Sequence, residues 1–214
     1  YYLQGSYSDD NTLIKAITFG GEERTYQSWF GLDATQLKED RRQNPYTYEN
    51  EVDDYGQNHY QLHWNEQLND KWSTTLGLNY TKGSGFFEQY KPGESAADFN
   101  NLIVDGSDVI VRRWLDNDFY VANFNTNYKT EKINLITGIS YSNYTGDHFG
   151  EVIWGSDLAT NTEIRDRYYF SDATKNDFSI FAKANFDISE NLSGYIDLQG
   201  RFVGYKTAGL TSDR

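Results

Sequence analysis

The stretch from Asn58 to Tyr80, NHYQLHWNEQLNDKWSTTLGLNY, decides the fold. Apolar or aromatic side chains alternate with polar or small ones on both sides of a break at 69–71. They stand at Tyr60, Leu62, Trp64 and Leu68, and then at Trp72, Leu76, Leu78 and Tyr80. Alternation with a period of two residues is typical of a β-strand that has one apolar face. Two such runs joined by a short polar break predict an antiparallel hairpin.

The same unit recurs along the chain. Segments 118–141 and 177–200 repeat the alternation and the central break, and segment 1–21 is a weaker copy. The copies begin at residues 1, 58, 118 and 177. Such spacing also occurs in solenoids, but the alternation inside each copy indicates paired strands instead. The sequence therefore predicts eight strands in four hairpins.

The connections between the predicted strands differ strongly in length. Within the hairpins they are short polar turns, near 9–11, 69–70, 130–131 and 189–191. Between the hairpins lie long loops, at about 23–56, 83–117 and 146–176. Outer-membrane β-barrels combine short periplasmic turns with longer extracellular loops, whereas compact soluble domains rarely contain several long loops. The asymmetry favours a membrane barrel, with residues 1–214 forming part of one β-barrel domain.

The composition excludes several other classes of protein. Aromatic residues make up 17 % of the chain, which argues against intrinsic disorder. The formal net charge of −13 argues against nucleic acid as a partner, and the lack of cysteine excludes disulfides and thiolate metal sites. A soluble β-sandwich or lipocalin-like barrel would show the same alternation. Tyrosines and tryptophans near both ends of the apolar faces, like the aromatic girdles of membrane barrels, favour the membrane interpretation.

Three stretches resemble TonB-dependent receptors of the Bacteroidetes type. They are Gly20–Gly31 (GGEERTYQSWFG), Asp54–His63 (DYGQNHYQLH) and Leu78–Lys91 (LNYTKGSGFFEQYK). The resemblance covers most of residues 1–145 and is specific to receptors for iron complexes. It implies an all-β, antiparallel up-and-down transmembrane barrel segment, with about eight strands of a larger barrel of about 22 strands.

The resemblance also implies a function. Such a protein would lie in the bacterial outer membrane with its long loops extracellular, and would import a scarce ligand, a ferric siderophore or another iron complex. Members of the family have an N-terminal plug and a short segment that binds the energy-coupling protein TonB, and the sequence contains neither. The implied partners are TonB through that missing N-terminal part, outer-membrane lipid or lipopolysaccharide, an extracellular small-molecule ligand and a surface lipoprotein.

Aromatic residues and arginines of the predicted loops are the candidate ligand-binding residues. Clusters of exposed aromatic side chains are unfavourable in water, so their presence in the loops requires an explanation. Two reasons stay open: packing of the loops over the barrel rim, and stacking on a bulky ligand. Arginines could hold an anionic ligand with two hydrogen bonds, although exposed basic pairs are usually only solvated. The candidates are Tyr26, Trp29, Phe30, Arg41, Arg42, Phe86, Phe87, Tyr90, Arg112, Arg113 and Trp114.

The first long loop contains a predicted helix. Asp33 is placed to cap a helix over Ala34–Arg41, with Gln36 in the capping-box position. Asn44 and Pro45 follow its expected end, because the residue before a proline disfavours helical conformation.

No arrangement of residues indicates catalysis, so the chain is not expected to be an enzyme or to bind a cofactor. His59 and His63 have the spacing of helical zinc ligands, but on a strand they would lie about 13 Å apart. We therefore expect both histidines to be polar residues that face the lumen, and we expect no metal site. Two alternatives stay open: an importer of glycans or cobalamin with the same fold, and a small self-contained structural barrel or adhesin. An outer-membrane enzyme is a weaker third.

Overall fold

The computed structural model describes residues 1–28, 31–44 and 46–209. In this part of the chain the helical elements are α1, Ala34–Glu39, and one 3-10 turn, Ala96–Phe99. The prediction of eight strands in an all-β chain is confirmed. The strands are β1 Tyr2–Ser8, β2 Thr12–Tyr26, β3 Val52–Gln67, β4 Trp72–Glu94, β5 Ser107–Lys129, β6 Ile133–Gly155, β7 Arg167–Ser189 and β8 Leu192–Gly209.

The eight strands form one sheet in the order of the sequence, and each strand is antiparallel to the next. This is the up-and-down topology that the hairpin repeats predicted. Among the described residues β1 and β8 do not pair with each other, so the sheet has two open edges. None of the helices in the described ranges has the length and apolar character needed to cross a membrane.

Tight turns join the strands at one end of the sheet, and the side chains of Asp9, Asn69 and Thr130 stabilise three of them. Oδ1 of Asp9 accepts hydrogen bonds from the backbone N–H groups of Asn11 and Thr12, at 3.0 and 2.9 Å. Oδ1 of Asn69 does the same for the N–H groups two and three residues later, at 2.9 and 3.1 Å. Aspartate and asparagine favour turns because their side chains form such bonds. We call the opposite end of the sheet the distal end.

One face of the sheet, the apolar face, carries a row of tyrosines. Tyr60 pairs with Tyr80 and Tyr80 with Tyr120, and their ring centroids are 5.8 and 4.7 Å apart. Between this row and the short turns most side chains are aliphatic or aromatic, and many are largely exposed, such as Leu198 at 67 %. A contiguous apolar surface of this kind is unfavourable in water. The apolar face therefore needs an apolar environment that the described part of the chain does not itself provide.

The opposite face, the polar face, carries the alternate side chains. His59 lies there, 2.9 Å from Oγ1 of Thr81 and stacked on Phe19 with 4.4 Å between ring centroids. Farther along the sheet, the hydroxyl of Ser140 donates to Oδ1 of Asn123 at 2.6 Å. Polar side chains thus bond one another across the strands. The strict alternation of the two faces follows the pattern that the sequence indicated.

The structure differs from the prediction in the extent of the loops. The connection between β4 and β5 covers 95–106 rather than about 83–117, and that between β6 and β7 covers 156–166 rather than about 146–176. The connection between β2 and β3 covers 27–51 rather than 23–56. A strand need not stop where a membrane ends, because its neighbours continue to satisfy its backbone hydrogen bonds. The strands β4 to β7 have 23 residues each, well beyond the roughly 9–11 that span a bilayer.

A small hydrophobic core lies at the distal end. Phe99, in the 3-10 turn, and Ile103, after it, are 1 and 2 % exposed. They belong to one cluster with Val109, Val111, Val152, Tyr168 and Tyr169. Ile103 also forms a β-bridge with Leu158, which joins two of the connections. Buried contacts of this kind hold the distal ends of β4 to β7 in fixed positions.

The predicted helix is present but shorter than expected. Oδ1 of Asp33 accepts hydrogen bonds from the N–H groups of Thr35 and Gln36 at 2.8 and 2.9 Å, and Oε1 of Gln36 accepts from the N–H of Asp33 at 2.9 Å. The predicted capping box is confirmed. The helix ends at Glu39 instead of Arg41, because Asp40 adopts an extended conformation.

Candidate functional site

The candidate residues on β4 and β5 are divided between the two faces of the sheet. Phe86, Arg112 and Trp114 continue the register of the apolar face, whereas Phe87 and Arg113 continue that of the polar face. Side chains of successive residues in a strand point to opposite faces. The sequence-based prediction had placed these residues on the long loop at about 83–117, and the strands separate them into two groups.

The polar-face group combines an arginine with aromatic rings. Arg113 pairs with Phe87 across the strands, and its guanidinium carbon lies 5.3 Å from the ring centroid. The Nε of Arg113 is buried and has no hydrogen-bond partner among the described residues. Burial raises the pKa of the nearby Tyr168 phenol, and the positive charge of Arg113 opposes that effect. A guanidinium beside aromatic rings suits a ligand that is both anionic and flat.

A cavity of about 300 Å³ lies beside this group on the polar face, lined by β5 to β8. The hydroxyl of Tyr169 lies 3.0 Å from Nε2 of His148, and the hydroxyl of Tyr144 donates to Oδ1 of Asn117 at 2.6 Å. Sequence reasoning missed these residues because it assigned most of them to loops. The alternation of side chains continues through them and was the available signal. The lining includes Asn117, Tyr144, His148, Ser171, Tyr205 and Thr207.

Glycines make room for aromatic rings on this surface. A Cβ atom at Gly150 would collide with the rings of Tyr168 and Tyr169. A Cβ atom at Gly85 would collide with the backbone of Asp54 and Tyr55. The rings of Tyr168 and Tyr169 therefore pack close to the backbone at Gly150, edge to face, with 74° between their planes.

The apolar-face group forms a row of rings across four strands, which we call the aromatic ladder: Phe86, Trp114, Phe149 and Phe170. Successive ring centroids lie 4.7, 6.0 and 6.4 Å apart. The guanidinium of Arg112 lies over Phe86 at 4.2 Å. That of Arg167 lies over Phe149 at 3.8 Å and near Phe170 at 5.6 Å. Nε1 of Trp114 donates to Glu151 at 3.1 Å, which fixes the indole.

A buried carboxylate lies next to the ladder. Oε2 of Glu88 accepts a hydrogen bond from Nε of Arg112 at 2.9 Å. Its Oε1 accepts from the hydroxyl of Tyr48 at 2.8 Å and from Nδ2 of Asn50 at 3.0 Å. Burial, together with the bond to Glu88, raises the pKa of Tyr48 to about 12. The β2–β3 connection is therefore attached to the apolar-face side of β4 and β5.

Tyr90 and Tyr26 also make structural contacts. The hydroxyl of Tyr90 donates to Asp108 at 2.6 Å, and this bond, with one from the N–H of Gly93, lowers the pKa of Asp108. The hydroxyl of Tyr26 donates to the carbonyl of Tyr46 at 2.7 Å.

The remaining candidates lie near the β2–β3 connection. Arg41 and Arg42 are exposed after α1. Trp29 and Phe30 lie outside the described residues. The structure thus brings together Phe87 with Arg113, and Phe86 with Arg112 and Trp114. It leaves Arg41 and Arg42 apart from both groups. No cluster of three metal-ligating side chains occurs in the described ranges.

Comparisons with known proteins identify the architecture. No protein-family model matches the chain, and no curated protein sequence matches it. Solved structures do match its fold, among them an import receptor and a transporter for iron complexes. The ferric-catecholate import receptor Fiu from K12 E. coli, in its closed form, has a TM-score of 0.62 at 11 % identity, over 96 % of this chain and 34 % of the receptor. The ferric citrate transporter FecA, in the unliganded form, also has a TM-score of 0.62 at 11 % identity, over 97 % of this chain and 29 % of the transporter.

The match extends over nearly the whole chain but over only about a third of each receptor. At this identity it establishes the fold and leaves the ligand open. The up-and-down order of the strands agrees with it, as do the alternating faces and the short turns at one end. The chain therefore has the fold of part of the β-barrel of these two proteins, and its eight strands form an open segment of such a barrel.

Proposed function

We propose that the protein is an outer-membrane transport receptor that imports an anionic ferric complex. In this proposal the apolar face meets lipid, the polar face lines the lumen and the distal end is extracellular. A bilayer supplies the apolar environment that the exposed side chains need, and a polar lumen suits the hydrogen-bonded side chains of the other face. The fold of the two iron-complex receptors supports the same arrangement.

The observation that carries the ligand class is the environment of Arg113. Its guanidinium lies over Phe87 on the polar face, and Leu115, two residues farther along β5, lines the adjacent cavity. Ferric complexes of catecholates or citrate are anions, and both catecholate rings and carboxylates can contact such a group by stacking or by paired hydrogen bonds. We propose Arg113 and Phe87 as ligand contacts, with Tyr144 and His148 in the adjoining cavity.

The other candidates and partners complete the proposal. Tyr26, Trp29, Phe30, Arg41 and Arg42, at or near the β2–β3 connection, would meet the ligand as it arrives from outside. Energy for import would come from TonB through a part of the receptor beyond this chain, and a surface lipoprotein could assist capture. Lipopolysaccharide would surround the barrel. The receptor would catalyse no reaction, in line with the lack of a nucleophile–base arrangement among the candidates.

The test is uptake of radioactive iron by cells that carry the complete gene, its deletion, or single substitutions. A ferric tricatecholate and ferric citrate are the probes. We expect the deletion to abolish uptake of one of them. We expect Arg113→Gln to weaken the binding of that iron complex to the receptor roughly tenfold, because a charge-assisted contact is lost. Arg167→Gln is the matched control, since it removes the same charge from the opposite face.

Two results would contradict the proposal. Unchanged uptake of both iron complexes in the deletion strain would remove the iron assignment. Parallel assays with cobalamin and with oligosaccharides would then show whether the same fold carries another cargo. Equal effects of Arg113→Gln and Arg167→Gln on binding would remove Arg113 from the ligand site.

A further inference from the structure

The aromatic ladder belongs to the apolar face, but it lies on the distal side of the tyrosine row. No register shift interrupts β4 between Tyr80 and Phe86, or β5 between Tyr120 and Trp114. The rows between are polar, with Lys82 held in ion pairs by Asp116 and Asp118. The ladder therefore faces the surroundings of the barrel and not its lumen, if the apolar face meets lipid as proposed above.

The height of the ladder limits what can contact it. Phe86 and Trp114 lie six positions along their strands from Tyr80 and Tyr120 of the tyrosine row. At ~3.4 Å per residue this is about 20 Å along a strand, or about 15 Å above the row for the usual tilt. The headgroup region of an ordinary bilayer adds only about 5–8 Å on each side of the hydrocarbon. Only a lipid with a large headgroup would reach the ladder.

The chemistry of the ladder indicates the nature of that headgroup. Its rings are partly exposed, with Phe170 at 38 %. Arg167 is exposed and forms no ion pair among the described residues. Flat rings stack on the C–H faces of sugars, and a guanidinium beside them binds a phosphate or carboxylate. We propose that the aromatic ladder and Arg167 dock the saccharide headgroup of lipopolysaccharide in the outer leaflet.

The row next to the ladder contains three paired carboxylates, Asp116, Asp147 and Asp172. The experiment therefore uses the complete protein, purified in detergent with Mg²⁺ so that these carboxylates do not repel phosphate. Its affinity is measured for lipopolysaccharide with an intact core and for lipid A alone. We expect the core to strengthen binding about tenfold. The double variant Trp114→Leu, Arg167→Gln should bring the ratio of affinities close to one. Lys175→Gln, on the polar face of the same strand, should keep the ratio of the unmodified protein.

A ratio near one in the unmodified protein would overturn the proposal, and so would an undiminished ratio in the double variant. If a second copy or another protein covers the ladder, the purified complex will be larger and its ratio will be one, which also overturns it. Heat-dependent gel mobility reports whether each variant is folded. If the double variant is not folded, Arg167→Gln alone decides, with an expected fall in the ratio of about threefold. Failure of the import proposal would appear separately, in the uptake assays with Arg113→Gln.

Discussion

Glu88 is the residue on which the distal end depends most. Its side chain is almost fully buried, yet it carries a charge, which is tolerated only when the charge is paired and the oxygen atoms accept hydrogen bonds. Arg112 supplies the pairing, and Tyr48 and Asn50 supply further donors. One carboxylate therefore attaches the β2–β3 connection to two strands.

Replacing Glu88 by leucine should release that connection. We expect a local loss of about 2–3 kcal/mol, because three donors lose their acceptor. Hydrogen exchange of residues 46–51, measured by mass spectrometry on the complete protein, should become roughly 30 to 150 times faster. Glu88→Gln, which keeps the shape and one acceptor oxygen, is the control and should show a smaller increase. Unchanged exchange in the leucine variant would mean that the connection is held elsewhere.

The contrast between Asp33 and Glu88 explains which contacts the sequence reveals. Asp33 bonds to residues two and three positions away, so its capping box was predictable from local spacing. The partners of Glu88 lie 24, 38 and 40 residues away, and their distance in sequence depends on the lengths of the strands and connections between them. No local pattern encodes such a cluster.

Strand number was predictable, whereas strand length was not. The turns carry strong local signals, such as Asp9 and Asn69, so the hairpins could be counted. The distal halves of the strands contain glycine and charged residues, as at Gly83 and Gly85, that are typical of loops. In the structure a Cβ at either position would meet the side chain of Tyr55. The candidate residues of 83–117 were assigned to a loop for the same reason, and the alternation in the strands divides them between the two faces.

The alternation can be tested with single cysteines, because the chain contains none of its own. We expect Leu78→Cys to be unreactive toward a water-soluble maleimide in intact outer membranes, since the proposed position of its side chain is in lipid. Asn79→Cys, one residue along, should react, since its side chain would face the water of the lumen. Reactivity before and after denaturation is the measurement, in a protein whose other cysteines have been removed. Equal protection of both would contradict the assignment of the faces.

The sheet as a whole leaves two edges open. Every residue of β1 is exposed, and so is nearly every residue of β8. Unpaired N–H and C=O groups along a strand edge favour pairing with another chain. An open sheet does not support the small self-contained barrel, which would require β1 to pair with β8.

The 214-residue chain, refolded alone in detergent, should therefore form oligomers or aggregates through its edges. Light scattering after size-exclusion chromatography measures the mass, and the complete protein serves as the reference. A stable monomer of the isolated chain would show that β1 and β8 close on each other, and would restore the self-contained barrel as an interpretation.

The positions of the β-bulges bear on how such a protein can change during evolution. Three of the four register irregularities lie at the distal end, at Lys91/Glu94, Ile110/Val111 and Gly150/Glu151. One inserted residue within the spanning part of a strand would turn every following side chain to the wrong side of the wall. Near a bulge, the same insertion is absorbed locally. Length variation among descendants should therefore accumulate around these bulges and beyond them, so that the distal connections, which our proposal places outside the cell, can diverge while the strands keep their pattern.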